Sequence, residues 1–170
     1  CGFTVPMLCT KHIRAQDRTK SVADDGSLGP IDASYLQKGL NALARAHHMS
    51  SMAGHLGASM IAAYFVSKQR ESLSPEVITG IKADMAKVLR GDSVFGKKMS
   101  RQSKLSDAQL FEPFPKQQPD PTLIDGIAEG LEKGIDKPRQ SGHNVIFASL
   151  AISALREHPE LATPSVVDGI

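Results

Sequence analysis

The chain has 170 residues, the usual length of one domain, and a net charge of +2 at pH 7. Hydrophobic residues are 41% and charged residues 22% of the chain, which excludes a disordered protein and leaves no basic excess for nucleic-acid binding. Aromatic residues are only 5%, whereas Ala, Leu, Ile and Met are plentiful, so we predict an all-α protein.

Residues 1–30 are polar and rich in turn-forming residues, so we predict an irregular segment before a helical domain at 31–170. The chain begins Cys1-Gly2, which would suit a mature extracytoplasmic lipoprotein; trimming of a longer chain is the alternative interpretation. Both cysteines lie in the first nine residues, so no disulfide framework is predicted. No apolar run approaches the roughly 20 residues that span a bilayer, and we expect a soluble protein.

One helix-start pattern recurs along the predicted domain. A capping residue is followed by Pro, two aliphatic residues and Gly-Ile in "SPEVITGI" (74–81), "DPTLIDGI" (120–127) and "TPSVVDGI" (163–170), with a weaker copy, "DASYLQKGL", at 32–40. The glycines are Gly39, Gly80, Gly126 and Gly169, separated by 41, 46 and 43 residues, which indicates helical hairpins of about 43 residues. Because Gly in a helix costs roughly 1 kcal/mol relative to Ala, we expect these glycines to pack closely against neighbouring helices.

The second helix of each hairpin is predicted to begin 15 or 16 residues further on, at Gly54-His55, Gly96-Lys97 and Gly142-His143. The segments after Gly54 and Gly142 are apolar on nearly every face, whereas the first helices carry one apolar stripe. We therefore predict inner second helices and outer first helices. About three and a half hairpins result, at 31–73, 74–119, 120–162 and the start of a fourth at 163–170. In the less faithful second hairpin, Ser106 is predicted to cap a short separate helix.

Alternating inner and outer helices at this period resemble the α/α-toroids of six-hairpin glycosidases, polysaccharide lyases and terpenoid cyclases. The resemblance covers residues 31–170 and lies in the hairpin pattern alone, so it implies no catalytic residue. An open α-solenoid is the alternative arrangement, since both bury a continuous core by stacking hairpins. The fourth hairpin stops after its first turn, so we expect the chain to belong to a longer protein.

The repeated Gly-His start suggests where chemistry could occur. His55, Lys97 and His143 are expected at one rim, where helix N-termini offer free N–H groups and positive dipole ends. We interpret His55 and His143 as a candidate catalytic acid and base, with Lys97 and Arg139 binding an anionic or polyhydroxylated, carbohydrate-like substrate. In the alternative interpretation each His caps its own helix.

His47 and His48 are further candidate substrate-binding residues in the segment "RAHHMSSMAGH", where the repeat predicts a turn at His48. The segment offers no carboxylate or Cys at a recognisable metal-ligand spacing, and the chain has no P-loop or dinucleotide fingerprint. We therefore predict no metal site and no cofactor. The alternative to an enzyme or small-ligand toroid is a non-catalytic helical-repeat scaffold that binds a protein partner or the remainder of a longer chain.

Overall fold

The computed structural model describes residues 30–69, 72–90, 92, 105–134 and 142–170. Every regular element in these ranges is helical, which confirms the all-α prediction. The helices are α1 (Ala33–Arg45), α2 (Gly54–Ser67), α3 (Pro75–Leu89), α4 (Asp107–Leu110), α5 (Ile124–Glu132), α6 (His143–Glu157) and α7 (Pro164–Val167). Within the same ranges, no helix combines the length and the apolar character needed to cross a membrane. The Cys1-Gly2 pair lies outside the described residues.

Helices or helical turns begin at the positions where the sequence predicted helix starts. The Asp32 carboxylate accepts a hydrogen bond of 2.9 Å from the backbone N–H of Ser34, and Asp120 accepts one of 3.0 Å from Thr122. Ser106 starts the short helix α4 with a capping box, as its position in the sequence predicted. Prolines occupy the first helical turn of three segments, Pro75, Pro121 and Pro164.

Helices α1 and α2 run antiparallel and pack at very short range through two facing glycines. A methyl group added to Gly57 would lie 2.5 Å from the carbonyl oxygen of Gly39 and 2.7 Å from the backbone nitrogen of Leu43. A methyl group on Gly39 would lie 2.6 Å from Cγ1 of Ile61. Neither position has room for a side chain, so glycine permits the close approach of the two helix backbones.

The expectation of close packing is therefore confirmed at Gly39, and it also holds at Gly169. A methyl group on Gly169 would lie 2.5 Å from the carbonyl oxygen of Ala44 on α1. The same expectation is wrong at Gly80 and Gly126, where nothing lies within 4 Å of the added methyl group. Gly80 is on the exposed face of α3, and Gly126 faces an open cleft beside α5.

The predicted separation into outer first helices and inner second helices is only partly correct. Helix α1 contacts α2, α4, α6 and α7, and most of its residues are buried, so this first helix is central rather than outer. On α6, Val145 and Ile146 are 53% and 54% exposed, so this second helix is not enclosed by the described residues. Helix α2 packs directly on α6 of the third predicted hairpin, so contacts are not limited to hairpins adjacent in sequence.

The facing glycines generate a paired prediction. Gly57→Ala forces a methyl group against backbone atoms of α1, and we expect it to lower the free energy of unfolding by about 1–3 kcal/mol. The matched change Gly80→Ala adds a methyl group in open space within a helix and should raise it by about 1 kcal/mol. Urea unfolding followed by circular dichroism measures both values. Equal effects of the two changes would contradict the close contact.

Candidate functional site

The two Gly-His pairs begin helices, as predicted, but their glycines serve different purposes. Helix α2 begins at Gly54, where an added methyl group would overlap the ring of Phe147. Gly142 immediately precedes α6 and has φ 82°, a left-handed conformation that favours glycine. The first glycine thus makes room for a neighbouring ring, and the second sets the direction of the chain entering the helix.

His55 and His143 meet at the N-terminal ends of α2 and α6. Their ring centroids are 4.8 Å apart and their planes are inclined at 62°. Nδ1 of His55 lies 3.1 Å from the carbonyl oxygen of Met52. A protonated Nδ1 donates to that carbonyl, and in the neutral imidazole this leaves Nε2 as the acceptor. The structure therefore brings together the two histidines that the sequence placed in equivalent positions.

Phe147 joins the histidine pair to a large cleft. Its ring centroid is 5.1 Å from that of His55 and 5.9 Å from that of His143. The same residue lines a cleft of about 1040 Å³. The two imidazoles are not among the residues that line this cleft, but their neighbours Gly54 and Asn144 line it together with Phe147.

The cleft lies between α5 and the region where α1, α6 and the C-terminal residues meet. One wall is the glycine face of α5, with Gly126 and Gly130, and the opposite wall includes Asn144 beside His143. The Oδ1 atom of Asn144 is buried and has no hydrogen-bond partner among the described residues. Both acidic and basic side chains border the cleft, namely Asp125, Glu129, Lys133 and Asp168.

The remaining predicted site residues are only partly brought to this region. His47 lines the cleft. The ring of His48 contacts that of His47, with 3.7 Å between the ring centroids and an angle of 47° between the planes. His48 lies in an exposed 3-10 turn, Ala46–His48, in agreement with the predicted turn. Lys97 and Arg139 lie outside the described residues. In the part of the chain that is described, no three His, Cys, Asp or Glu side chains converge as metal ligands would.

A second cluster of titratable groups joins the C-terminal ends of α2 and α6. Tyr64 Oη donates to Oε1 of Glu157 at 2.6 Å and lies 3.0 Å from Nε2 of His158. Lys68 Nζ lies 2.5 Å from the same Glu157 oxygen, and Nδ1 of His158 lies 2.8 Å from Oε1 of Glu160. Since α2 and α6 meet at both their starts and their ends, the two helices run in the same direction.

These contacts shift several ionisation equilibria. The hydrogen bonds from Lys68 and Tyr64 hold the pKa of Glu157 below its usual value, and the hydrogen bond from His158 does the same for the pKa of Glu160. The hydrogen bond to Glu157, together with burial, raises the pKa of Tyr64 to about 12. Both carboxylates are therefore ionised and Tyr64 is neutral at pH 7.

Sequence reasoning missed Phe147, Asn144 and the Tyr64 cluster. The two residues of α6 follow directly on the predicted Gly142-His143 start, so proximity in sequence was an available signal. The segment "REHPE" at 156–160 places two carboxylates around a histidine, but nothing in the sequence indicates that Tyr64, 94 residues before His158, would contact it.

Comparison of the chain with known protein families, with curated proteins and with solved structures finds no match. The chemistry of the site is therefore argued from its own residues.

The position of Phe147 over Gly54 generates the first prediction for the site. Gly54→Ala should displace the Phe147 ring and lower the free energy of unfolding by about 1–3 kcal/mol through overpacking. Because the ring is edge-on to His55, the change should also shift the imidazole proton resonances of His55 in NMR spectra. Gly80→Ala, in open space on α3, is the control and should leave those resonances unchanged. Unshifted imidazole signals in Gly54→Ala would contradict this packing.

The two tyrosines of the chain generate the second prediction. Tyr64→Phe removes a hydroxyl that donates to Glu157 and should cost about 1 kcal/mol at pH 7. Tyr35→Phe removes a buried hydroxyl that has no partner among the described residues, so its effect should be neutral or stabilising. Urea unfolding of both variants measures the difference, and an equal loss in the two would contradict the Tyr64 network.

The Tyr64 network also determines in which direction the free energy of unfolding changes with pH. The folded pKa of Tyr64, about 12, lies above the unfolded value of about 10, so this stabilisation is complete below pH 10 and is lost between about pH 10 and 12. The folded pKa values of Glu157 and Glu160 are lowered, so their contribution is present above the unfolded value of about 4.3 and falls as the solution becomes more acidic. Tyr64→Phe should remove the alkaline decline due to this residue.

Proposed function

We propose that the protein binds or transforms a small anionic or polyhydroxylated, carbohydrate-like molecule by histidine acid–base chemistry, on hairpins arranged as part of an α/α-toroid. The single observation that carries this proposal is the contact of His55 with His143, at 4.8 Å between ring centroids, beside a cleft of about 1040 Å³. Helices α2 and α6, the second helices of the first and third predicted hairpins, run in the same direction, as the second helices of a toroid do.

The histidine pair has the properties of an acid–base site. Helices α2 and α6 are 14 and 15 residues long, and both direct their positive N-terminal dipole ends toward the two imidazoles. A proton on Nδ1 of His55 would be donated to the Met52 carbonyl oxygen, and in that tautomer Nε2 is the acceptor that a general base needs. His143 is then the candidate acid, and an anionic group of the ligand would be favoured by the dipole ends of both helices.

The cleft supports a ligand with hydroxyl groups. Its volume of about 1040 Å³ is at the upper end of the range for small-molecule sites, so it suits an elongated molecule better than a compact one. Carboxylates accept hydrogen bonds from hydroxyl groups, and Asp125, Glu129 and Asp168 border the cleft. Lys133 adds a cationic group for a carboxylate of the ligand, and His47 adds an imidazole that can form hydrogen bonds.

A second candidate function is a scaffold that binds a protein partner in the same cleft. Its support is the glycine face of α5, because Gly126 and Gly130 have nothing within 4 Å of an added methyl group and would let another backbone approach closely. In that case the histidine pair would be a packing element between α2 and α6. The two candidates differ in whether the histidines contribute to the affinity for a small ligand.

A binding experiment separates these two candidate functions. We expect a sugar acid, with D-glucuronate as the probe, to bind with an affinity that falls at least tenfold, about 1.4 kcal/mol, in the double variant His55→Ala, His143→Ala. Lys87→Ala changes an exposed residue of α3, away from both the cleft and the histidine pair, and it should bind as tightly as the unchanged protein. Isothermal titration calorimetry measures the affinities, and circular dichroism checks that each variant is folded. Unchanged glucuronate affinity in a folded double variant, or no glucuronate binding by the unchanged protein, would overturn the proposal.

A further inference from the structure

A second, smaller cavity lies against the opposite part of α1. Its volume is about 180 Å³, and it is enclosed by α1, residues 114–117 and residues 160–166. It shares no lining residue with the large cleft. At roughly 30 Å³ per water molecule, it holds about six waters, which is the size of a compact organic molecule with about half a dozen heavy atoms.

One of the residues that line this cavity is a buried asparagine. Asn41 is 3% exposed, and it lines the cavity from the middle of α1. No hydrogen bond joins its side-chain amide to any residue that the structure describes; its backbone carbonyl accepts the one contact, 3.5 Å from Nη1 of Arg45. The amide borders the cavity, where a bound molecule can form the hydrogen bonds that most polar groups in protein interiors make. The Asn41 amide therefore points to a ligand that both donates and accepts hydrogen bonds.

The polar groups around Asn41 extend the same recognition pattern. Gln37 and Thr163 line the cavity, and so does Gln117, whose Oε1 accepts a 3.0 Å hydrogen bond from the backbone N–H of Ser165. This bond fixes the Gln117 side chain and leaves its amide N–H groups as donors. Three amides and one hydroxyl, all neutral, thus border the cavity together with the charged side chains of Lys116 and Glu160.

Glu160 supplies a fixed acceptor at the edge of the cavity. Its Oε1 lies 2.8 Å from Nδ1 of His158, and Nε2 of the same imidazole lies 3.0 Å from Tyr64 Oη. The carboxylate is therefore held by a chain of contacts that reaches α2. The carboxylate accepts hydrogen bonds, and Lys116, which also lines the cavity, carries the opposite charge. The lining therefore has no net charge that would favour an anionic ligand over a neutral one.

From these groups we propose that the cavity between α1 and residues 114–117 and 160–166 is a binding site for a small neutral polyol. Hydroxyl groups of the polyol donate to the carboxylate of Glu160 and to the side-chain oxygen Oδ1 of Asn41. They accept hydrogen bonds from the side-chain amide N–H groups of Asn41 and Gln117. The apolar carbon backbone of a polyol packs against apolar residues of the lining, including Leu40, Phe114 and Val166. This site is independent of the function proposed for the histidine pair.

The test uses erythritol as the probe and the side-chain amide signals of the protein in two-dimensional NMR spectra. We expect saturable shifts of the Asn41 and Gln117 amide signals, with a dissociation constant in the millimolar range. Asn41→Leu replaces the unpartnered amide by an apolar group of similar size. It should abolish the saturable shift of the Gln117 amide signal, since the groups of Asn41 that would bind the polyol are removed.

A matched pair of surface variants keeps the test independent of any change in folding. Gln37→Ala removes an exposed amide that lines the cavity and should weaken erythritol binding several-fold. Gln118→Ala removes an exposed amide that does not line it and should have no effect. Shifts that do not saturate, or that persist unchanged in Asn41→Leu, would overturn the proposal. Tighter binding of acetamide or inorganic phosphate than of erythritol would overturn the assignment to polyols.

Discussion

The structure depends on the contact between Gly39 and Gly57. Because neither residue has a side chain, the backbones of α1 and α2 approach to a distance that any other pair of residues would prevent. This contact makes α1 and α2 a compact central pair, and α3, α4, α6 and α7 all pack on one or the other of them. The candidate functional residues are therefore positioned by helices that belong to this central pair or pack on it.

The locations of the candidate functional groups also depend on the parallel packing of α6 on α2. This packing places one group of side chains at each end of the helix pair. At the N-terminal end, His55, His143 and Phe147 form an aromatic cluster beside the large cleft. At the C-terminal end, Tyr64 and His158 belong to a hydrogen-bonded network that contains two carboxylates and a lysine. One end combines positive helix dipoles with imidazoles, and the other has carboxylates that are ionised at neutral pH, so the two ends suit different ligands.

Local signals in the sequence predicted local features of the structure well. The all-α class, the caps at Asp32 and Ser106, and the helix starts at Gly54 and His143 all depend on residues within a few positions of one another. The central position of α1 and the exposure of Val145 on α6 were not predicted, because burial depends on which helices a segment meets and not on its own periodicity. The meeting of His55 with His143 was suggested by their equivalent positions, whereas the Tyr64 network joins positions that share no pattern in the sequence.

The Gly-His starts are equivalent in sequence, but the helix pairs that contain them pack differently. Counting from Gly54 and Gly142, the position of Gly57 on α2 corresponds to Val145 on α6. A β-branched side chain at this position cannot reproduce the backbone contact that Gly57 makes with Gly39. Val145 instead lies 53% exposed, and Gly126 of α5, the counterpart of Gly39, faces open space. Helices α5 and α6 still contact each other, but without a facing glycine the Gly126 face of α5 is left open to the cleft.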